Sequence, residues 1–170
     1  MRRNDMLEDM LEKYEIVNSV GETIGKIKEI YIDLDTWDVK ALKISPGMLK
    51  GSFLLHLKDV TKIDLDNNRM VVTEEFGKDE IPETATRKLY PYDELSKRTV
   101  VDSEGEKVGK IYSLEIPYEK LGSMKIWKML IKTGIKDRRL RIAPTEVNEV
   151  MDDINLRKTI DFYQNKDEES

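Results

Sequence analysis

Val17-Asn18-Ser19-Val20-Gly21-Glu22-Thr23-Ile24-Gly25-Lys26-Ile27 returns later in the chain as Val101-Asp102-Ser103-Glu104-Gly105-Glu106-Lys107-Val108-Gly109-Lys110-Ile111. The two stretches lie 84 residues apart (105 − 21). The match reaches upstream, where Asp9, Leu11 and Lys13 align with Asp93, Leu95 and Lys97. Similarity at a fixed offset reads as one structural unit built twice. It divides the 170 residues into a first unit at 1–76, a linker at 77–91 and a second unit at 92–170. Units this small bury only about 60–65% of their unfolded surface. The two are therefore expected to pack on each other or on a partner.

Working outward, each unit opens on a short helical pattern. Met6, Leu7, Met10, Leu11 and Tyr14 share one face of a predicted helix at 5–13, and Tyr92 to Lys97 is its shorter counterpart. The remainder is β-type. Gly21 supplies a tight turn, and Gly25 inside the next strand marks a bulge or a close backbone approach. Ile27, Ile30, Ile32 and Leu34 bury one face, with a phase slip after Ile27. Trp37 to Ile44 returns, Phe53, Leu55 and Leu57 alternate, and Met70 to Thr73 closes the unit after the turn Asp66 to Arg69. In the second unit Lys107 to Ile116 is the long strand and Met124 to Lys132 the return. Between them, Pro117 to Ser123 forms a loop about four residues longer than its counterpart. Arg139 to Ile142 is the third strand, and Ile160 with Phe162 reads as a last strand before a polar tail at 164–170. Short strands with frequent turn signals predict small barrels or strongly curled sheets.

Composition narrows the chemistry. With no cysteine, disulfides, thiolate catalysis and cysteine-based metal sites are excluded. The net charge of −5 opposes general binding to nucleic acid or anionic lipid. No apolar run reaches the length of a signal peptide core or a membrane helix, so a soluble, cytoplasmic protein is expected. Charged residues are 37% of the chain, well above the usual quarter or so, which predicts a heavily charged surface.

No catalytic constellation emerges, and neither a cofactor nor a metal is expected. The single histidine, His56, lies between Leu55 and Leu57 on the opposite face of a strand, as a rim histidine would. Asp64-Leu65-Asp66-Asn67-Asn68 has calcium-loop spacing, but Arg69 stands where such a loop needs glycine, and a β-turn is expected instead. Asp33, Asp35 and Asp38 cluster at a hairpin tip as solvated carboxylates. The candidate partner-binding residues are Met48 and Leu49 between two glycines, Phe53 beside them, Tyr118 and Leu121 in the enlarged loop, and Trp127, Arg138 and Arg139. Apolar loop tips need covering, by their own unit or by a partner. Lys125, Lys128, Lys132, Lys136, Arg138, Arg139 and Arg141 surround Trp127, a mixture that suits either RNA or an acidic protein, and strand alternation could split it over two faces.

The pattern Gly-x-x-(Ile/Val)-Gly-Lys-Ile followed by Val-x-x-(Ile/Val) resembles the PRC-barrel family. It occurs as Gly21 to Ile27 with Val60-Thr61-Lys62-Ile63, and again as Gly105 to Ile111 with Val147-Asn148-Glu149-Val150. The resemblance implies a mainly β fold of two tandem small PRC-type β-barrels with short helices. It also implies an adaptor role, without catalysis. In layout the chain is most similar to archaeal cell-division proteins of the CdpB type. That likeness implies a SepF-like partner, FtsZ indirectly, a homodimer, and recruitment to the division site at the membrane only through a partner. The alternative branch is the ribosome-maturation factor RimM, which would imply RNA.

Overall fold

The computed structural model describes residues 4–6, 12–47, 51–64, 66–73, 89–117, 124–134 and 138–169. Among the described residues the fold is mainly β, with two curled sheets and short helices. The strands are β1 (Asn4–Met6), β2 (Glu15–Val17), β3 (Thr23–Asp33), β4 (Asp38–Ser45), β5 (Phe53–His56), β6 (Val60–Asp64), β7 (Arg69–Val72), β8 (Leu89–Pro91), β9 (Thr99–Val101), β10 (Lys107–Pro117), β11 (Met124–Lys125), β12 (Lys128–Lys132), β13 (Arg139–Ile142), β14 (Val147–Val150) and β15 (Ile154–Leu156). Helix α1 is Tyr92–Lys97 and helix α2 is Ile160–Glu169. The chain divides into two compact units. The first holds Met1–Tyr92 with Ile116–Lys125, and the second holds Asp93–Glu115 with Ile126–Ser170.

In the first unit the sheet runs β11-β4-β3-β2-β7-β6, with β5 also on β4 and β8 on β3. Alternation puts Ile27, Ile30, Ile32, Val39, Leu42, Ile44 and Leu55 into its core, all at most 4% exposed. In the second unit the order is β13-β12-β10-β9-β15-β14. Its core holds Leu95, Val100, Ile111, Leu114, Met129, Ile131, Leu140 and Ile142.

The pairing of the long hairpins coincides over five residue pairs in the two sheets. Lys26↔Ser45, Ile27↔Ile44, Glu29↔Lys43, Ile30↔Leu42 and Tyr31↔Ala41 in the first have counterparts in the second. These are Lys110↔Lys132, Ile111↔Ile131, Ser113↔Leu130, Leu114↔Met129 and Glu115↔Lys128. The register slips at the same place, between Ile27 and Glu29 and between Ile111 and Ser113. The phase slip read after Ile27 is this bulge. On the return strand the offset becomes 87 (132 − 45), so the second connection is three residues longer, not four.

The turns coincide as well. Asn18 Oδ1 accepts the N–H groups of Val20 and Glu22 at 3.1 and 2.9 Å. Asp102 Oδ1 accepts those of Glu104 and Glu106, both at 2.9 Å. Each is a side chain standing in for a turn of backbone. Gly21 and Gly105 complete these turns at φ 87° and 81°, a conformation that glycine adopts without a Cβ penalty.

Three sequence expectations are corrected. Asn4–Met6 is a strand and not the start of a helix, because backbone pairing overrides the amphipathic pattern there. Residues 7–11 of the predicted helix lie outside the described residues, and Glu12 and Lys13 at its end are helical as expected. The return strand expected at 124–132 is split at Ile126 and Trp127, and its first piece, β11, pairs with β4 through Met124↔Val39 and Lys125↔Asp38. Ile160 and Phe162 belong to α2, which takes in most of the expected polar tail. Its first N–H donates to the buried carboxylate of Asp102 at 3.0 Å, and that long-range anchor is invisible to local alternation. The last strand is β15 instead, where Ile154 and Leu156 alternate into the core. Trp37 stands in the β3–β4 turn at φ 54°, its N–H donating to Asp33 O at 2.7 Å.

Candidate partner-binding face

The basic stretch of the second unit lies on an antiparallel strand pair. Residues opposite one another share a face, so the register sorts them. Met129, Ile131, Leu140 and Ile142 point into the core. The other face carries Lys128, Lys132, Arg139 and Arg141, with Lys110 from β10 opposite Lys132, and between them Leu130 and Ser113, which are buried. Alternation collects these cations rather than splitting them.

Two aromatic rings stand among them. Tyr112 occupies the β10 bulge, where the register skips it, and the Arg139 guanidinium carbon lies 5.0 Å from its ring centroid. Trp127 is 42% exposed at the break between β11 and β12. Its N–H donates to Glu115 O at 2.8 Å, which fixes its backbone against β10. The Arg141 guanidinium and the Lys128 ammonium each lie 5.9 Å from the Trp127 centroid, within cation–π range.

Glu115 organises this cluster. It is a buried carboxylate, 8% exposed, on a face that also holds the buried Ser113 and Leu130. Arg141 Nε and Nη2 donate to its two oxygens at 3.0 and 2.8 Å. Such a fork holds the guanidinium plane in one orientation. The Arg141 side chain remains 53% exposed, so the pair carries a surface-like energy and its main effect is positional. Glu115→Gln is expected to lower stability by about 1 kcal/mol in urea denaturation. Arg141→Ala added to that variant should change little more, because the two side chains act as one.

The sequence candidates fall in different places. Trp127 lies against Arg141 and Arg139 against Tyr112, and no contact joins Trp127 to Arg139 among the described residues. Arg138 is exposed at its edge, and its carbonyl accepts the N–H and Oγ1–H of Thr133 at 2.9 and 2.8 Å. Phe53 is half-buried on β5 of the first unit. Met48, Leu49, Tyr118 and Leu121 lie outside the described residues. Sequence reading missed Lys110, Tyr112 and Glu115, although their counterparts Lys26, Lys28 and Tyr31 were available for comparison.

The remaining polar clusters are structural. His56 is half-buried at the end of β5, opposite Ala41. Asp64 accepts from the backbone and side-chain amides of Asn67 at 3.2 and 2.9 Å, making the expected β-turn. The Asn67 amide draws the Asp64 pKa below its ordinary value. Asp33 Oδ1 accepts the Asp35 N–H at 2.9 Å, and Asp38 pairs with Lys40 at 3.1 Å. Tyr163 is buried and its pKa is pushed up to about 12, first by desolvation; its hydroxyl donates to Glu146 at 3.1 Å. Among the described residues no helix is long and apolar enough to cross a membrane.

Residues 9–77 match the family model of the PRC-barrel domain. No curated protein matches the chain.

Proposed function

We propose, for a chain that carries a PRC-barrel domain at residues 9–77, the role of a non-catalytic adaptor that docks a partner protein. The observation that carries this reading is the exposed Trp127 beside an Arg141 held in place by Glu115. Tryptophan and arginine are the residue types that dominate protein-interface energetics, and a pre-oriented guanidinium loses little freedom on binding. The second half is read as a second unit of the same kind. The shared strand order and register of the two sheets support this.

The partner proposed from family likeness is a SepF-like division protein that would bring the adaptor to FtsZ at the membrane, with the adaptor itself a homodimer. Titration of the purified chain with SepF from the same source tests it by calorimetry. A direct complex is expected, weakened about tenfold or more by Trp127→Ala. Absence of heat with the wild-type chain would remove SepF from the reading.

A second reading has its own support. Tyr112 and Trp127 are rings set among cations, as in sheets that stack bases and hold phosphates. Binding to ribosomal RNA that falls steeply with salt, and is abolished by charge reversal at Arg138 and Arg139, would favour a RimM-like role.

A further inference from the structure

Lys128 opens β12 as the Cα partner of Glu115 on β10. The carboxylate it faces is already engaged, because Arg141 Nε and Nη2 hold both Glu115 oxygens at 3.0 and 2.8 Å. Among the described residues no carboxylate forms an ion pair with Lys128. Its ammonium instead lies 5.9 Å from the centroid of the Trp127 ring, and Trp127 is 42% exposed. A positive charge without an anionic partner thus stands beside an open aromatic ring. Glu115, Trp127, Lys128 and Arg141 all belong to the second unit.

The first unit shows that the fold does not require this quartet. At the 87-residue offset of the return strand, Lys40 and Ala41 stand where Trp127 and Lys128 stand. Ala41 is buried opposite Tyr31, the counterpart of Glu115. Leu54, opposite Lys43, replaces Arg141, which is opposite Leu130. The cation of the first unit, Lys40, is neutralised by Asp38 at 3.1 Å. The open ring and the ammonium beside it are therefore particular to the second unit. An exposed tryptophan that the fold does not demand marks a working surface.

We propose that Trp127 and Lys128 bind an extended segment of a partner protein in which one carboxylate stands two residues from an apolar side chain. The proposal rests on the adaptor reading and gives its partner a chemistry. Charge complementarity selects the occupant: the carboxylate pairs with Lys128 while the apolar side chain lies on Trp127. The ring and the ammonium are 5.9 Å apart. Alternate side chains of an extended chain stand about 6.7 Å apart on one side, so residues i and i+2 reach both. The Glu115–Arg141 fork sets the site up. It keeps the guanidinium beside the ring and holds Glu115 away from Lys128, which leaves the ammonium to the partner. A polynucleotide fits less well. Its affinity grows with the number of phosphates neutralised, and here one ammonium stands beside the ring on a chain of net charge −5.

The test is a heteronuclear NMR titration of the full chain, read at the indole N–H signals of its two tryptophans, Trp37 and Trp127. The probe is a short serine-rich peptide with Glu and Phe two positions apart. The same peptide with Gln in place of Glu, and a short oligouridylate, are run in parallel. The Glu peptide should move the Trp127 signal at low salt and leave that of Trp37 in place. The Gln peptide should bind about threefold or more weakly. Lys128→Gln should abolish that difference, whereas Lys40→Gln in the first unit preserves it. The proposal is overturned by an unmoved Trp127 signal, by equal affinity of wild type for both peptides, or by an equal effect of Lys40→Gln. Tighter binding of oligouridylate that Lys128→Gln weakens would also overturn it. SepF titrated into the same variants separates the two levels. No peptide binding, with SepF bound equally by wild type and Lys128→Gln, defeats this site and leaves the adaptor standing. Peptide binding, with SepF binding absent or insensitive to Lys128→Gln, keeps the site and removes SepF as its occupant.

Discussion

Gly109→Ala is expected to destabilise the protein more than the same change at any other described glycine, by about 3 kcal/mol or more, with Gly25→Ala close behind. A Cβ built on Gly109 would stand 2.1 Å from the carbonyl oxygen of Lys132 and 2.9 Å from its carbonyl carbon. On Gly25 it would stand 2.5 Å from the Ser45 carbonyl oxygen and 2.8 Å from Ile44 Cγ2. The obstructing atoms are mostly backbone, held in the ladder of a neighbouring strand, so no rotamer change relieves the overlap. Either β10 moves away from β12 or the β9–β10 bulge opens, and both expose apolar residues such as Ile111 and Ile131. Gly134→Ala is the control. Nothing lies within 4 Å of its added Cβ, and a change under about 0.5 kcal/mol is expected. Urea denaturation of the three variants checks the order. If Gly109→Ala matches Gly134→Ala, close strand approach is not what these glycines serve.

That pair of glycines also explains why so much of the fold could be read from sequence. A repeated Gly-x-x-x-Gly segment with apolar alternation on both sides fixes a turn, a bulge and a buried face through local chemistry alone. Gly21 and Gly105 take the positive φ that the spacing suggests, and Ile27, Ile30 and Ile32 take the core positions. What local pattern does not contain is competition from distant partners. Met124 and Lys125 alternate as well as any strand residues, yet they pair with Val39 and Asp38, more than eighty positions earlier. Ile160 and Phe162 look like strand residues until the buried Asp102 carboxylate claims the Ile160 N–H and starts a helix.

The candidate face was half legible. Trp127 and Arg139 stood out because cations and an aromatic are unusual together in an acidic chain. Lys110 and Tyr112 did not, since the first carries the repeated Gly-Lys motif and the second sits in an apolar strand. Glu115 gave no signal at all: only the register, which sets it opposite Lys128 with Arg141 in reach, shows why a carboxylate is buried there. Comparing each position with its counterpart 84 residues earlier would have raised all three as departures or retentions, but it could not have said which face they share.

Asp102 and Asn18 supply a second internal contrast, and it predicts pH dependence confined to one unit. Both residues accept two turn N–H groups through Oδ1. Asp102 alone uses a second oxygen, Oδ2, to accept the N–H of Ile160 at the start of α2. It is 3% exposed. Burial pushes its pKa up, but the N–H groups of Ile160, Glu106 and Glu104 together hold it below the ordinary 3.8. Asp102→Asn keeps Oδ1 and turns an amide donor toward the Ile160 N–H; about 2 kcal/mol should be lost at neutral pH. Asp102→Ala strips all three N–H groups of their acceptor and should cost about 3 kcal/mol. A carboxyl whose folded pKa is depressed stabilises the fold in full above its unfolded value, near 3.9. That contribution is lost as pH falls through the folded value. The stability gap between wild type and Asp102→Asn should therefore be constant from neutral pH down to about 4 and close below it. Asn18→Ala, which removes no titrating group, should show a gap that acid does not close. Urea denaturation across that range, with amide exchange at Ile160 as the local readout, distinguishes an ionised anchor from a merely polar one. A gap that persists below the carboxylate range, or an Ile160 amide equally protected in wild type and Asp102→Asn, would mean that α2 is held by packing alone.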